Sequence, residues 1–318
     1  MRNLHVWFDL QGGGELHAVQ GVGFEVGDGE RFGLVGESGC GKTTAILALM
    51  GLLPPSASVA GQVFFEGQDI MARGEESLSR HRWRDIGMVF QGAMNAFNPV
   101  MRIGDQIVEP MKLHRIAEGG EARKQVGELL EMVGISAARA NRFPHEFSGG
   151  MRQRAAIAMA LACKPKVLLA DEPTTALDVM VQAQILELLV ALAKDFGLAL
   201  VLVTHDLAVV AQVCDRAAVM YAGEIVETGQ TEALYHDPRH PYTRLLFSAT
   251  PDLYGEEDVA SIPGSPPRLD REIAGCPFQP RCDRAFAPCP TLKPNLITVE
   301  SGREARCHLN DPSMKTAS

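Results

Sequence analysis

The octapeptide GESGCGKT, Gly36 to Thr43, constrains this chain more than any other stretch. It fits the phosphate-binding pattern GxxxxGK[ST], follows the apolar run Arg31 to Val35 and precedes the helical run Thr44 to Leu52. Strand, glycine loop and helix in that order are the context in which the pattern carries its chemistry. Glycines at 36, 39 and 41 let the backbone curl so that successive amides face phosphate oxygens, and the following helix adds its positive end. Lys42 supplies a cation for the terminal phosphates. Thr43 offers a hydroxyl to Mg²⁺, an ion that keeps several waters and takes few protein ligands. Cys40 reads as a small residue of the loop, although a thiol at a helix start ionises more easily than usual.

A second dense stretch runs from Ser148 to Asp178. SGGMRQR (Ser148 to Arg154) puts a hydroxyl and two glycines just before a helix predicted over Met151 to Cys163. This second helix start can also receive an anion, or can serve as a cap for its own helix alone. One triphosphate rarely needs two cradles, so the economical reading gives the second to a nucleotide held by another subunit. VLLADEPTTALD (Val167 to Asp178) then reads as a buried parallel strand, Val167 to Ala170, ending in Asp171 and Glu172. The carboxyl end of such a strand is where α/β sheets bind ligands. A helix follows over Val179 to Asp195, with Val181, Ile185, Leu188, Leu189 and Leu192 on its apolar side. The strand Leu198 to Val203 runs into Thr204, His205 and Asp206, and the strand Ile86 to Phe90 ends at Gln91. Gln91, the carboxylate pair and His205 are thus expected on one rim.

The rest of the chain sets bounds. Its 318 residues hold a large α/β core plus a smaller unit, and a formal charge of -9 disfavours a broad nucleic-acid face. No apolar run reaches the roughly eighteen residues that cross a bilayer, and the opening MRNLHVWFDLQGGG lacks the pattern of a secretory signal. The expectation is a cytoplasmic protein, free or docked on a membrane partner. Leu4, Val6, Phe8 and Leu10 alternate as in a half-buried strand, Gln11 to Gly14 makes a turn, and a second strand is predicted over Ala18 to Val26. Phe8 and Trp7 suit either a core strand or an aromatic face stacked on a base. A short strand is predicted over Gln62 to Phe65, helices between about 93 and 147 with Glu121 to Val133 the clearest, and a hairpin over Ala217 to Tyr221 and Glu224 to Thr228. Four of the seven cysteines, Cys276, Cys282, Cys289 and Cys307, crowd the C-terminal region. In a reducing compartment that suggests metal more than disulfides, but the gaps are wider than CxxC pairs and do not choose the metal.

In this combination the chain resembles the ATP-binding subunit of an ABC transporter. The order matches over roughly residues 4 to 230: GESGCGKT as Walker A, Gln91 as the Q-loop, SGGMRQR as the signature, LLADE as Walker B, TTALD as the D-loop and His205 as the switch histidine. FNPVMRIGDQI, PHEFSGGMRQRAAIAMAL, HPYTRLL and GCPFQPRC narrow the resemblance to the dipeptide and oligopeptide importers, a group that also includes nickel and oligosaccharide importers. The implied fold is an α/β P-loop NTPase: a RecA-like α/β core, an antiparallel β subdomain, a helical signature subdomain and a small Cys-rich extension. Its expected divisions are 1–232 with the helical part at about 93–160, then 233–268 with the HPYT segment and a proline-rich link, 269–309 rich in cysteine, and a frayed tail at 310–318.

The resemblance also implies roles. Phe8 would stack on adenine, and Gly36, Glu37, Ser38, Gly39, Cys40, Gly41, Lys42, Thr43 and Thr44 would bind ATP. Thr43, Gln91 and Asp171 would surround Mg²⁺, Glu172 would be the general base, and His205 would hold the γ-phosphate and the attacking water. Ser148, Gly149, Gly150 and Gln153 would close on ATP held by a partner ATPase subunit, with Asp178 reaching across the same interface. The four C-terminal cysteines resemble a [4Fe-4S] domain, with Zn²⁺ or unmetallated thiols as alternatives. Implied partners are a second, homologous ATPase subunit, two permease subunits and, indirectly, an extracytoplasmic solute-binding protein, placing the chain peripherally on the cytoplasmic face of the membrane. A soluble ABC ATPase without a permease is the reading from a different class. Two departures stand out: Gly92 and Ala93 follow Gln91 where many members of the group have Asp and Pro, and Met151 replaces the Gln of other ABC proteins.

Overall fold

The structure, a computed structural model, describes residues 1–10, 12–92, 96–248, 262–271 and 273–314, and the chain divides into two compact units. The first comprises residues 1–25, 32–72 and 203–318, and the second 26–31 and 73–202. Gln11 of the expected turn, Ala93 beside the Q-loop, Ser261 at the start of the proline-rich link and residues 315–318 of the tail lie outside the described residues.

In the first unit, β1 (Arg2–Asp9) pairs antiparallel with β2 (Glu15–Val22) and β4 (Ala57–Gln62). Alternation assigns the faces: Leu4, Val6, Val19 and Val22 are fully buried, while His5 and Trp7 stack with His17 on the other side. β2 ends at Val22 rather than Val26: its last pair is with Leu4, the adjoining Asn3 of β1 turns to a positive φ of 48°, and beyond the break the Phe24 amide donates to the Met1 carbonyl. The strand expected over Gln62 to Phe65 is two pieces. β4 stops at Gln62, and β5 (Phe64–Phe65) turns back on β6 (Gln68–Asp69) through Glu66 and Gly67, both at positive φ as a two-residue hairpin requires.

Five further strands of this unit lie side by side in the order β12-β13-β11-β10-β3. β3 (Arg31–Val35) lies parallel to β10 (Arg216–Tyr221), which forms a hairpin with β11 (Glu224–Gln230). The Cys-rich stretch contributes β12 (Ile297–Glu300) and β13 (Arg303–Ala305), and β13 extends the sheet by pairing with Glu227 and Thr228. A buried ion pair fixes this addition: Arg303 meets Glu227 at 3.0 Å, and the same carboxylate accepts the amides of Arg239 and His240. Helix α1 (Lys42–Met50) follows β3 and closes at Gly51, whose left-handed φ lets the Gly51 and Leu52 amides reach the last carbonyls. Residues 310–314, expected to fray, are held: Asn310 Nδ2 donates to the Arg239 carbonyl at 3.0 Å, and Pro312–Met314 forms a short 3₁₀ turn.

In the second unit, α2 (Glu75–His81) leads to β7 (Ile86–Val89), which lies parallel to β8 (Val167–Asp171), and β9 (Ala199–Thr204) flanks β8 on its other side. Between β7 and β8 come α3 (Ile103–Leu113), α4 (Gly119–Met132) and α5 (Gly149–Ala160). Buried residues recur at helical spacing: Ile103, Ile107 and Met111 on α3, Ala122, Val126 and Leu129 on α4. On α6 (Val179–Phe196), Ile185, Leu189 and Leu192 are buried as expected, whereas Val181 and Leu188 are only half-buried. The first unit is completed by α7 (Leu207–Val213), α8 (Thr231–His236) and α9 (Pro241–Ser248). Among the described residues no helix is long and apolar enough to cross a membrane.

Candidate functional site

The phosphate loop lies in the first unit between β3 and α1. Its backbone leaves no room for other residues at two points. A Cβ on Gly36 would sit 2.1 Å from the Met220 carbonyl oxygen, and one on Gly41, at φ 104°, would sit 2.6 Å from that of Ala18. Gly41 is the N-cap of α1 and gives that helix start no side-chain cap. Lys42 is buried, and its ammonium donates to the carbonyls of Gly36 at 2.7 Å and Glu37 at 3.0 Å, with Cys40 Sγ at 3.7 Å. A cation fixed among carbonyls at the mouth of an uncapped helix is suited to a polyanion. Burial pushes the Cys40 thiol up despite the neighbouring Lys42, so this cysteine is not an activated thiolate.

Glu37 carries contacts that sequence reasoning missed. Its carboxylate receives two N–H groups from Arg281, at 2.7 and 2.9 Å, and its amide donates to the Tyr242 hydroxyl at 2.9 Å. Arg281 adjoins Cys282 in GCPFQPRC and Tyr242 lies in HPYTRLL, so both sat inside motifs read only for their cysteines or as family marks. Phe8 pairs with Leu16 and Ala57 and is half-buried, while the aromatic stack of that strand belongs to its neighbour: Trp7 and His17 have ring centroids 4.7 Å apart. His205 follows β9 at its carboxyl end and is exposed.

The second unit brings Gln91 and Glu172 together from two strand ends. Gln91 Nε2 donates to Glu172 Oε2 at 2.8 Å, and the Thr175 hydroxyl donates to the same oxygen at 3.0 Å. Glu172 has φ 41°, a left-handed conformation that an ordinary residue keeps only where its surroundings impose it. Asp171, one position earlier, is 1% exposed at the end of β8. Ser148 caps α5, its Oγ accepting the Met151 amide at 3.3 Å, and Asp178 caps α6 by accepting the Val181 amide at 3.0 Å. Gly149 and Gly150 are partly exposed, whereas Gln153 is buried and its Nε2 lacks a hydrogen-bond partner.

Cys276, Cys282, Cys289 and Cys307 line one small cavity together with His240, Phe278, Phe286 and His308. Burial pushes Cys276 up to about 11 and Cys307 up to about 12, so the bare thiols stay protonated at neutral pH. Among the described residues, no group of three or more His, Cys, Asp or Glu side chains is placed to hold a metal ion.

Comparison with known proteins adds to this geometry. The family described as ABC transporter matches residues 19–175, and the family described as oligopeptide/dipeptide transporter, C-terminal region, matches residues 226–289. The chain is 44% identical over 317 residues to the dipeptide transport ATP-binding protein DppD of Bacillus subtilis (strain 168), covering 98% of this chain and 94% of the relative. It is 45% identical over 310 residues to the oligopeptide transport ATP-binding protein OppD of Escherichia coli (strain K12), covering 96% and 91%. Among solved structures it resembles a dimeric post-hydrolysis state of the ATP-binding cassette MJ0796 bound to ADP and Pi, with a TM-score of 0.64 and 31% identity over 72% of this chain and 97% of that one.

Proposed function

Because the chain belongs to the ATP-binding subunits of dipeptide and oligopeptide ABC transporters, we propose that each of its two glycine-led helix starts serves a different ATP. The chain is an ATPase that energises import of di- or oligopeptides. The observation that carries the mechanism is the contrast between an uncapped phosphate loop with its buried lysine and a carboxylate, Glu172, oriented by Gln91 and Thr175.

The loop amides from Gly36 to Thr44 and the Lys42 ammonium bind the β- and γ-phosphates, and Phe8 stacks on the base. Glu172 accepts a proton from the attacking water, and His205 steadies that water against the γ-phosphate. Phosphoryl transfer is largely positioning and electrostatics, which is the work these groups are suited to. The Thr43 hydroxyl, Gln91 amide and Asp171 carboxylate are hard oxygen donors that fit Mg²⁺, and we assign them to it. When bound, that ion neutralises charge on the phosphates. Ser148, Gly149, Gly150 and Gln153 act on the partner's nucleotide, and Asp178 crosses the same interface. Closure of two ATPase subunits on two ATPs then biases a pair of membrane permeases, and hydrolysis resets them. The second ATPase subunit is assigned as a homologous relative rather than a copy, with a binding protein outside the membrane choosing the solute and this chain peripheral on the cytoplasmic face. Copurification of the complex, followed by ATPase assays with its binding protein offered peptides, oligosaccharides or nickel, tests the reading. Stimulation by peptides alone supports it, and stimulation by a sugar or nickel alone replaces the solute.

For the cysteines we infer a [4Fe-4S] cluster held by Cys276, Cys282, Cys289 and Cys307. Four thiols around one cavity supply donors of the right kind for such a cluster. Such a cluster, when bound, ties distant chain segments together through thiolate bonds. Anaerobic purification should yield iron and acid-labile sulfide in equal amounts. Stoichiometric zinc, or neither metal, would remove the cluster.

A further inference from the structure

We propose that Arg281 is a positioning residue for the nucleotide site: it neutralises the Glu37 carboxylate and, with Tyr242, holds the phosphate loop open for a triphosphate. The proposal rests on the assignment of Gly36 to Thr43 to that triphosphate.

A carboxylate inside a phosphate loop is an electrostatic liability, since the ligand brings several negative charges to the same backbone. The fold answers it with a guanidinium from far along the chain. Both terminal nitrogens of Arg281 donate to the two oxygens of Glu37, the bidentate geometry in which such pairs are strongest. The Arg281 side chain is 4% exposed, and its Nε donates to the Pro263 carbonyl at 2.7 Å. Its guanidinium lies over the rings of Tyr221 and Phe278, 5.8 and 5.9 Å from their centroids. The Glu37 hydrogen bonds raise the Arg281 pKa further, so the charge is permanent.

Glu37 is gripped along its backbone as well. Its amide donates to Tyr242, and its carbonyl accepts from Lys42 and from the Cys40 amide at 3.3 Å. Tyr242 is itself fully buried, packed against Tyr221 at 4.6 Å and Phe278 at 5.3 Å between centroids. Glu37 therefore has its carboxylate, amide and carbonyl all fixed, two of the three by residues beyond position 240. The loop that the cassette supplies is shaped by the C-terminal region.

The test is a double-mutant cycle on the purified full chain, reading ATP, ADP and AMP affinity together with KM and kcat. Arg281→Gln should weaken ATP binding about tenfold or more, ADP less and AMP least, because the exposed carboxylate repels in proportion to phosphate charge. Glu37→Gln added to it should restore most of the affinity. A purely structural role for Arg281 would lower all three affinities alike and the second change would not rescue them. Equal losses for the three nucleotides, an absent rescue, or native ATP affinity in Arg281→Gln each overturn the proposal. Lys42→Ala separates the two readings: if it too binds ATP as the native chain does, the phosphate-loop assignment fails, whereas loss in Lys42→Ala with none in Arg281→Gln sinks this inference alone.

Discussion

Two glycine-led helix starts, at Gly41 and at Ser148, look alike in sequence and are built differently. The first has no side-chain cap, a lysine folded over its own loop carbonyls, and a loop residue clamped by Arg281 and Tyr242. The second spends its hydroxyl on its own helix, Ser148 Oγ accepting the Met151 amide, and has glycines that stay partly exposed. An uncapped helix start leaves its amides to water or an anion, while a self-capped one has satisfied one amide already and has a hydroxyl that rotates to a new partner when one arrives. The difference suits a loop that holds nucleotide in the single chain and a turn that engages only on closure with a neighbour.

The sharpest attack on that contrast removes hydrolysis without touching either loop. Glu172→Gln should lower turnover about 10²- to 10⁴-fold while ATP binding stays intact and MgATP-driven association, followed by sedimentation, becomes long-lived. Turnover at the native rate would take Glu172 out of its role. Next in size is the pH dependence of the clamp behind the phosphate loop. His240 is buried, accepts the Tyr242 amide on Nδ1, and is pushed down to about 3 by burial from the usual 6.5. It is neutral in the folded chain while the unfolded chain takes up a proton below about 6.5, so stability falls as pH drops from there toward 3. The slope reaches at most about 1.4 kcal/mol per pH unit, and His240→Gln should flatten it in unfolding experiments between pH 7 and 5. An unchanged slope would free the clamp from that histidine. The smallest effect belongs to the second turn: Ser148→Ala should cost about 1 kcal/mol as a lost cap, read by denaturant unfolding, and leave the single chain's ATP affinity alone.

Much of this was legible in the sequence, and the reasons are physical. Lys42, Gln91, the Asp171 and Glu172 pair and His205 all sit at strand ends or helix starts, where chemistry needs particular residue types and periodicity locates them. β3 has the bounds expected of it because the uncharged, buried run Phe32 to Val35 before a glycine loop has few other readings. Strand ends elsewhere were not legible: β2 stops where its ladder with β1 breaks beside Asn3, a fact about pairing rather than about residues 22–26. Arg281 was hidden for a similar reason. Its meaning lies 244 positions away in Glu37, and no local pattern joins the two. The sheet strand β13 escaped notice too, since three residues, one of them charged and buried against Glu227, give no strand signal.

The central claim is that the two helix starts serve different nucleotides, and ATP affinity of the dilute, monomeric chain tests it most directly. Measured side by side, Lys42→Ala should lose about 10²- to 10³-fold in affinity, while Ser148→Arg should bind as the native chain does and fail only in turnover. If Ser148→Arg weakened ATP binding by the lone chain as severely as Lys42→Ala, both turns would be gripping one ligand and the account would be wrong.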